Sequence, residues 1–314
     1  MRSRMPLTAV VLVASGLVLA GCGSGDGPSS TAAGRAQLEV VATTPVVADF
    51  LRTVGGERVE VTQILKPGVD PHDYEPSPAD VQAISDADLV VENGVGLEAW
   101  LTDTVESAGY DGPVVDTSQG IVIRKAEEDV YAEGDPHIWH DPRNAMAMVR
   151  TIADGLGARD PAGKATYQKN ATGYIAELDA LDKANEAKIG SVPAAQRKLV
   201  TNHDAFGYYS ERYGIVVVGS IIPSFDTSAE LSGKKLSDVV AKISSTGVKA
   251  VFSEASLPPR TAETVAREAG VQVVGGEDAL FADGLGPEGS AGATYLRAEQ
   301  HNTDTIVKAL GGRV

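Results

Sequence analysis

Short apolar runs rich in valine and isoleucine alternate along this chain with segments that have the spacing or the start signals of helices. Strands separated by helices predict parallel sheets with helices on both faces. The predicted strands form two groups, one in each half of the chain, so we predict an α/β protein with two lobes. The runs are residues 38–42, 59–64, 89–91 and 114–115, then 198–201, 215–220, 250–252 and 271–274.

Between the two groups lies a segment, residues 162–189, that is rich in Ala, Lys, Glu, Asp and Leu. Its larger apolar residues recur at spacings of three and four, which predicts one helix of roughly 40 Å. We expect this helix to join a lobe at 37–159 to a lobe at 193–314, with 160–192 as the connection. Cap-plus-proline pairs predict helix starts at Ser77-Pro78, Asp141-Pro142 and Asp160-Pro161.

Residues 1–21 have the pattern of an export signal, with Arg2 and Arg4 before an uncharged apolar stretch at 7–20. That stretch is short for a bilayer span, which takes about 20 apolar residues. The run Leu19-Ala20-Gly21-Cys22 resembles the lipobox of bacterial lipoproteins, which implies cleavage before Cys22 and a lipid on its thiol. An ordinary secretory signal with an incidental cysteine is the alternative. Residues 22–36 are small and polar and predict a flexible tether.

The formal net charge of -16 argues against a nucleic-acid partner. From the export signal and the lipobox, we expect an exported protein that a lipid anchor holds on the outer face of the cytoplasmic membrane.

The histidines suggest a metal site. The chain has five histidines. Three of them lie near predicted strand ends or helix starts, and a carboxylate in the C-terminal part of the chain is a fourth candidate. Each has an ordinary explanation alone, as a loop, packing or turn residue. Together, two in each half of the chain, three imidazoles and one carboxylate would form a four-ligand site that suits zinc. The candidates are His72, His137, His203 and Asp283.

Around these residues the chain resembles the metal-binding substrate-binding lipoproteins of bacterial zinc and manganese ABC transporters. The resemblance covers the mature chain and implies two α/β lobes joined by one long helix, the same four ligands, and delivery of the metal to an ABC permease. Whether a metallochaperone supplies the metal is left open. The matching runs are Pro71-His72-x-Tyr74-Glu75-Pro76, His137-x-Trp139-x-Asp141-Pro142, His203-Asp204-Ala205-Phe206-Gly207-Tyr208 and Asp283-Gly284-Leu285-Gly286.

The resemblance also bears on the metal. The third ligand position is His in zinc-type members and Glu in many manganese-type members, and here it is His203. We therefore predict Zn²⁺ as the transported ligand, with Mn²⁺ or iron as the alternative and an added surface-adhesion role left open. Many zinc-type members carry a His-rich loop, whereas the corresponding residues 124–134 are acidic and lack histidine.

Several neighbouring residues have more than one interpretation. Glu75 and Asp204 could orient ligand imidazoles or cap backbone groups. His140 could be a supporting group, a surface residue or an alternate ligand, and we favour a non-ligand. His301 is expected to be exposed on a C-terminal helix.

A zinc hydrolase would need an open metal position and a general base. The chain has no His-Glu-x-x-His pattern, and four protein ligands leave no open position. We therefore do not expect an enzyme.

The predicted anchor can be tested by replacing Cys22 with alanine. Without the thiol no lipid can be attached, so the protein should leave the membrane fraction, because firm anchoring needs lipid chains. Fractionation followed by immunoblotting measures this. Retention of a signal-cleaved Cys22→Ala protein in the membrane fraction would contradict the prediction.

Overall fold

The computed structural model describes residues 37–125, 133–229 and 233–314. The predicted signal peptide, Cys22 and the tether lie outside these residues. In the described ranges, no helix combines the length and the apolar character needed to cross a membrane.

The first lobe is a four-stranded parallel sheet with strand order β2-β1-β3-β4. Residues 40–42 and 89–91 of its two central strands are buried, which is why these stretches are apolar without alternation. Val40 pairs with Val61 on one side and with Leu89 on the other. The elements are β1 (Leu38–Ala42), α1 (Pro45–Gly55), β2 (Val59–Gln63), α2 (Pro78–Ser85), β3 (Leu89–Glu92), α3 (Leu101–Ala108), β4 (Val114–Asp116) and α4 (Pro142–Arg159).

The second lobe has two parallel strand pairs, β5 with β6 and β7 with β8. A single bridge between Glu254 and Leu280 continues the edge of β7. Side chains join the two pairs, since Asn202 Oδ1 accepts from the Glu254 amide and Glu254 Oε1 accepts from the His203 amide, both at 3.0 Å. The elements are β5 (Lys198–His203), α6 (Gly207–Tyr213), β6 (Val216–Ile222), α7 (Gly233–Thr246), β7 (Ala250–Phe252), α8 (Arg260–Ala269), β8 (Gln272–Val274) and α9 (Tyr295–Leu310).

The predicted long helix is present as α5 (Lys164–Gly190), 27 residues long. It links the lobes, as expected. The caps at Ser77 and Asp141 are also present, and Ser77 forms a capping box with Asp80.

The start predicted at Asp160-Pro161 is wrong, because α5 begins at Lys164. The Asp160 carboxylate instead accepts hydrogen bonds from Arg58 Nε and from the Tyr167 hydroxyl, both at 3.0 Å. A carboxylate committed to these donors does not cap the following turn.

A second helix, α9, also spans both lobes. Its first turn contributes Tyr295 and Ala298 to the core of the first lobe. Its later turns contribute Ile306 and Leu310 to the core of the second lobe. The buried apolar and aromatic residues of α5 divide in the same way, with Ile189 in the second core and the rest in the first. The sequence pattern predicted one connector, whereas two helices, α5 and α9, contribute to both cores.

Candidate metal centre

The four predicted ligands meet at the carboxyl ends of strands, where parallel sheets present ligand-binding loops. His203 is the last residue of β5. His72 lies in the loop from β2 to α2, and His137 lies between β4 and α4. Asp283 follows the bridge at Leu280 and precedes α9. Two residues come from each side of α5, as the sequence pattern predicted.

One atom from each residue points to a common centre. His203 Nε2 lies 3.2 Å from His137 Nε2 and 3.1 Å from Asp283 Oδ1. His137 Nε2 lies 3.4 Å from the same oxygen, and His72 Nε2 lies 4.0 Å from it. All four candidate atoms lie within 4.8 Å of one another. Four atoms arranged tetrahedrally around a zinc ion, at bonds near 2.0–2.1 Å, lie about 3.3 Å apart. Three residues are already at that spacing, and His72 lies slightly outside it.

The site is closed to solvent. His137 and His203 are fully buried, and Asp283 is 3% exposed. His72 Nε2 is buried without a hydrogen-bond partner among the described residues, and buried Asp283 Oδ1 faces only the three imidazole Nε2 atoms. Buried polar atoms without partners are costly unless something satisfies them. A cation at the centre would satisfy these two atoms together.

Two carboxylates orient the His137 and His203 imidazoles by contacting the ring nitrogen that faces away from the centre. Asp135 Oδ1 lies 2.8 Å from His137 Nδ1, and Glu254 Oε2 lies 2.6 Å from His203 Nδ1. A carboxylate facing Nδ1 favours a proton there, which leaves the Nε2 lone pair free for a metal. Both Nε2 atoms face the centre.

The electrostatics also favour a cation. Burial lowers the pKa of His203, but the Asp283 and Glu254 carboxylates outweigh burial and hold that pKa well above its ordinary value. Burial raises the pKa of Asp283, but the surrounding imidazoles outweigh it and the net pKa lies well below the ordinary value. The pKa of His72 falls to about 4, chiefly through burial. Without metal, a proton on His203 therefore balances the Asp283 carboxylate.

Arg124 supports the second carboxylate oxygen of Asp135. Its guanidinium contacts Asp135 Oδ2 and donates from Nε to Glu211 on α6 at 2.7 Å. The Tyr208 hydroxyl accepts from the Arg124 amide and donates to the Asp135 carbonyl, both at 3.0 Å. The run that carries His137 is thus attached to the second lobe.

The three candidate supports, Glu75, Asp204 and His140, differ in burial. Glu75 is exposed, and the Asp204 amide donates to the Ser224 carbonyl at 3.0 Å. A supporting role for either stays a prediction. His140 is buried beneath the site and does not point into the four-atom centre. The expectation that His301 is exposed is wrong, because it is partly buried and its Nε2 lies 3.0 Å from the Ala279 carbonyl oxygen.

The supporting carboxylates Asp135 and Glu254 were missed as functional residues. Asp135 lies two residues before His137, and Glu254 lies two residues after the end of β7. A carboxylate two residues from a candidate ligand is a usable signal. The pairing of Glu254 with His203 spans 51 residues and depends on the tertiary fold.

The site and the fold match one family. Residues 40–309 match ZnuA, described as zinc-uptake complex component A, periplasmic. The chain belongs to the ZnuA family. Manganese-binding lipoprotein MntA of Halalkalibacterium halodurans is 36% identical over 302 residues, with 96% of this chain and 97% of MntA covered. The manganese ABC transporter substrate-binding lipoprotein PsaA of Streptococcus pneumoniae is 32% identical over 314 residues, with 96% of this chain and 98% of PsaA covered.

Solved structures of similar fold also include both a protein described as zinc-binding and a manganese-bound protein. TroA from Treponema pallidum, described as a periplasmic zinc binding protein, superposes with a TM-score of 0.80 at 31% identity, covering 88% of this chain and all of TroA (100%). An Mn-bound periplasmic metal binding protein from Candidatus Liberibacter asiaticus gives a TM-score of 0.78 at 25% identity, covering 86% of this chain and 98% of that one.

As a ZnuA family member, this chain is the metal-binding component of an ABC transporter and not an enzyme. Its relatives are lipoproteins, and the predicted location on the outer face of the cytoplasmic membrane is confirmed by them. Lipid attachment at Cys22 stays a prediction.

The supporting role of Glu254 leads to a testable expectation. Glu254→Gln keeps the size of the side chain and removes the charge behind His203, so metal affinity should fall by roughly 10–100-fold. Glu268→Gln removes a charge from the exposed face of α8 and should leave affinity unchanged. Competition titration against a chromogenic chelator measures both. Equal affinities for the two variants would contradict the assigned role of Glu254.

Proposed function

We propose that this ZnuA family member captures Zn²⁺ outside the cytoplasmic membrane through His72, His137, His203 and Asp283, and delivers it to an ABC permease for import. The observation that carries the proposal is the convergence of three imidazole nitrogens and one carboxylate oxygen on a buried centre. Zinc takes four such ligands in a tetrahedron, and a closed set of four suits binding rather than catalysis.

The donor types favour zinc over manganese. Imidazole is a borderline donor that suits zinc, whereas manganese prefers sites richer in carboxylate, carbonyl and water oxygens. Only one of the four candidate atoms is an oxygen. The supporting carboxylates Asp135 and Glu254 face the outer ring nitrogens and not the centre.

Manganese is the second candidate, and the names of the relatives favour it. MntA and PsaA are both named for manganese. The same architecture would capture Mn²⁺ if the cell controls which metal reaches the protein, since zinc outcompetes manganese at most sites of a given kind. The two candidates share one mechanism and differ in the cargo.

The capture step follows from the different attachment of the four residues. His137 and His203 are buried and held by carboxylates. The His72 loop lies between strand and helix, and His72 is the residue farthest from Asp283 Oδ1, at 4.0 Å. We infer that a metal first meets the preformed part of the site and that the His72 loop then closes over it. The two helices that span both lobes leave little freedom for a large hinge motion.

A deletion experiment identifies the cargo. Removing the gene from the source bacterium should lower cellular zinc during zinc limitation and leave cellular manganese unchanged, measured by elemental analysis. A fall in manganese alone would assign manganese as the cargo. A fall in neither metal would contradict a role in importing them.

Ligand variants test the site itself. His137→Ala and His203→Ala should each weaken zinc binding by more than the roughly 10–100-fold that loss of a supporting residue costs. His301→Ala is the matched control, because His301 is partly buried and its Nε2 faces the Ala279 carbonyl and is not one of the four candidate atoms. Zinc affinity is measured by chelator competition on metal-stripped protein. An unchanged affinity for both ligand variants would exclude this site.

Metal binding should depend on pH because protons and metal compete for the same nitrogen atoms. The raised pKa of His203 means that the metal must displace a proton at neutral pH. Apparent affinity should therefore fall as pH drops, beginning above the ordinary imidazole pKa of about 6.5, and by about tenfold per pH unit for each proton released. Calorimetry in buffers of different ionisation enthalpy counts the protons. A count of zero at pH 7 would contradict this prediction.

A further inference from the structure

His140 is the one histidine in the ligand runs that the site does not use, yet it is fully buried. Its Nε2 lies 2.9 Å from the carbonyl oxygen of Ala282, the residue before Asp283. Its ring stacks on Phe206, three residues after His203, with centroids 4.5 Å apart. Its amide donates to the His137 carbonyl at 3.4 Å. His140 therefore touches the segments that carry three of the four candidate ligands.

The contacts of His140 determine where its protons lie. A carbonyl oxygen only accepts, so Nε2 carries a proton and donates it to Ala282. On the other side, Nδ1 lies 2.8 Å from Glu299 Oε1 on α9, and a second proton must lie between these two atoms. The result is a continuous bridge from α9 through the imidazole to the backbone beside Asp283.

The same face of α9 holds both neighbouring segments. Tyr295, Glu299 and Asn302 have the i, i+4, i+7 spacing of one helix stripe. The Tyr295 hydroxyl donates to the Trp139 carbonyl at 2.6 Å. The Asn302 side chain accepts a hydrogen bond from the Phe281 amide at 2.8 Å and donates one to the Phe281 carbonyl at 2.9 Å. Because α9 is built into both cores, this stripe sets the His137 segment and the Asp283 segment against one rigid support.

We propose that His140 is a positioning residue, which pins the Ala282 carbonyl so that Asp283 presents a single oxygen to the metal and the site stays four-coordinate. The proposal rests on the proposed function, in which Asp283 is a ligand. The Asp283 carboxylate has the required orientation, because Oδ1 faces the three Nε2 atoms and Oδ2 lies 3.2 Å from the Ser256 hydroxyl.

The consequence is selectivity between metals. A carboxylate that offers only one oxygen to the metal completes a tetrahedral site of four ligands, the geometry typical of zinc. A carboxylate free to turn can offer both oxygens and raise the coordination number, which suits oxygen-preferring metals such as manganese. Loss of the Ala282 contact should therefore weaken zinc binding more than manganese binding.

The test uses two amide replacements that reach different ring positions. His140→Asn places an amide near the Nδ1 position, so it keeps the Glu299 contact and loses the Ala282 contact. His140→Gln combined with Glu299→Gln reaches the Nε2 position and rebuilds the whole bridge from uncharged amides. Zinc and manganese affinities are measured by competition, and Co²⁺ absorption in the visible range reports the coordination geometry.

We expect His140→Asn to lower zinc affinity by roughly 10–100-fold, the range found for residues that support a metal ligand. The ratio of zinc to manganese affinity should fall with it, and the Co²⁺ bands should lose the intensity typical of a tetrahedral site. The double glutamine variant should recover the wild-type ratio and spectrum. His301→Leu, which removes another imidazole facing a backbone carbonyl, should change neither.

The outcomes separate this inference from the proposed function. If Asp283→Ala leaves zinc affinity unchanged, the proposed function fails. If Asp283→Ala weakens binding while folded His140→Asn keeps the wild-type ratio and Co²⁺ spectrum, only the positioning role is overturned. Should His140→Asn fail to fold, the double variant His140→Leu with Glu299→Leu removes the bridge without leaving a buried charge, and a wild-type ratio in that variant overturns the role equally.

Discussion

The burial of α5 and α9 in both hydrophobic cores is the constraint on which the rest of this structure depends. Each helix places one part of its apolar face in the first core and another part in the second. Moving one lobe relative to the other would expose apolar surface on both helices at once, which costs about 25 cal/mol per Å². The lobes therefore act as one rigid support, and four residues from strand ends and loops can meet within a few ångströms of one another.

The site illustrates how buried polar groups are made compatible with such a core. Two of the buried imidazoles divide their nitrogens between a structural partner and the metal centre. His137 faces Asp135 and His203 faces Glu254 with one nitrogen, and both direct the other nitrogen to the centre. His140 uses both of its nitrogens for structure, in contacts with Glu299 and Ala282. The difference between a ligand and a support in this protein is whether the second nitrogen has a protein partner.

Proteins named for zinc and proteins named for manganese share this framework. The chain resembles proteins named for zinc and proteins named for manganese to a similar degree. What this chain contributes is a third imidazole at His203 and an Asp283 carboxylate whose second oxygen contacts Ser256. Both features reduce the number of oxygen atoms offered to the metal. The proposal of zinc therefore depends on donor chemistry and not on the overall fold.

The sequence alone determined the α/β class, the positions of the strands and the long helix, because burial of whole strands and helix faces leaves periodic apolar patterns along the chain. The strongest local signals, the caps at Ser77 and Asp141, are present as predicted. The four histidine and aspartate candidates were also visible, since such residues cluster at strand ends. Only the tertiary structure determines which residues support these candidates. Glu254 reaches His203 across 51 residues, His140 reaches Ala282 across 142, and α9 reaches both cores. Local sequence patterns cannot encode these contacts, because they depend on which strand ends and helix faces become neighbours when the chain closes on itself.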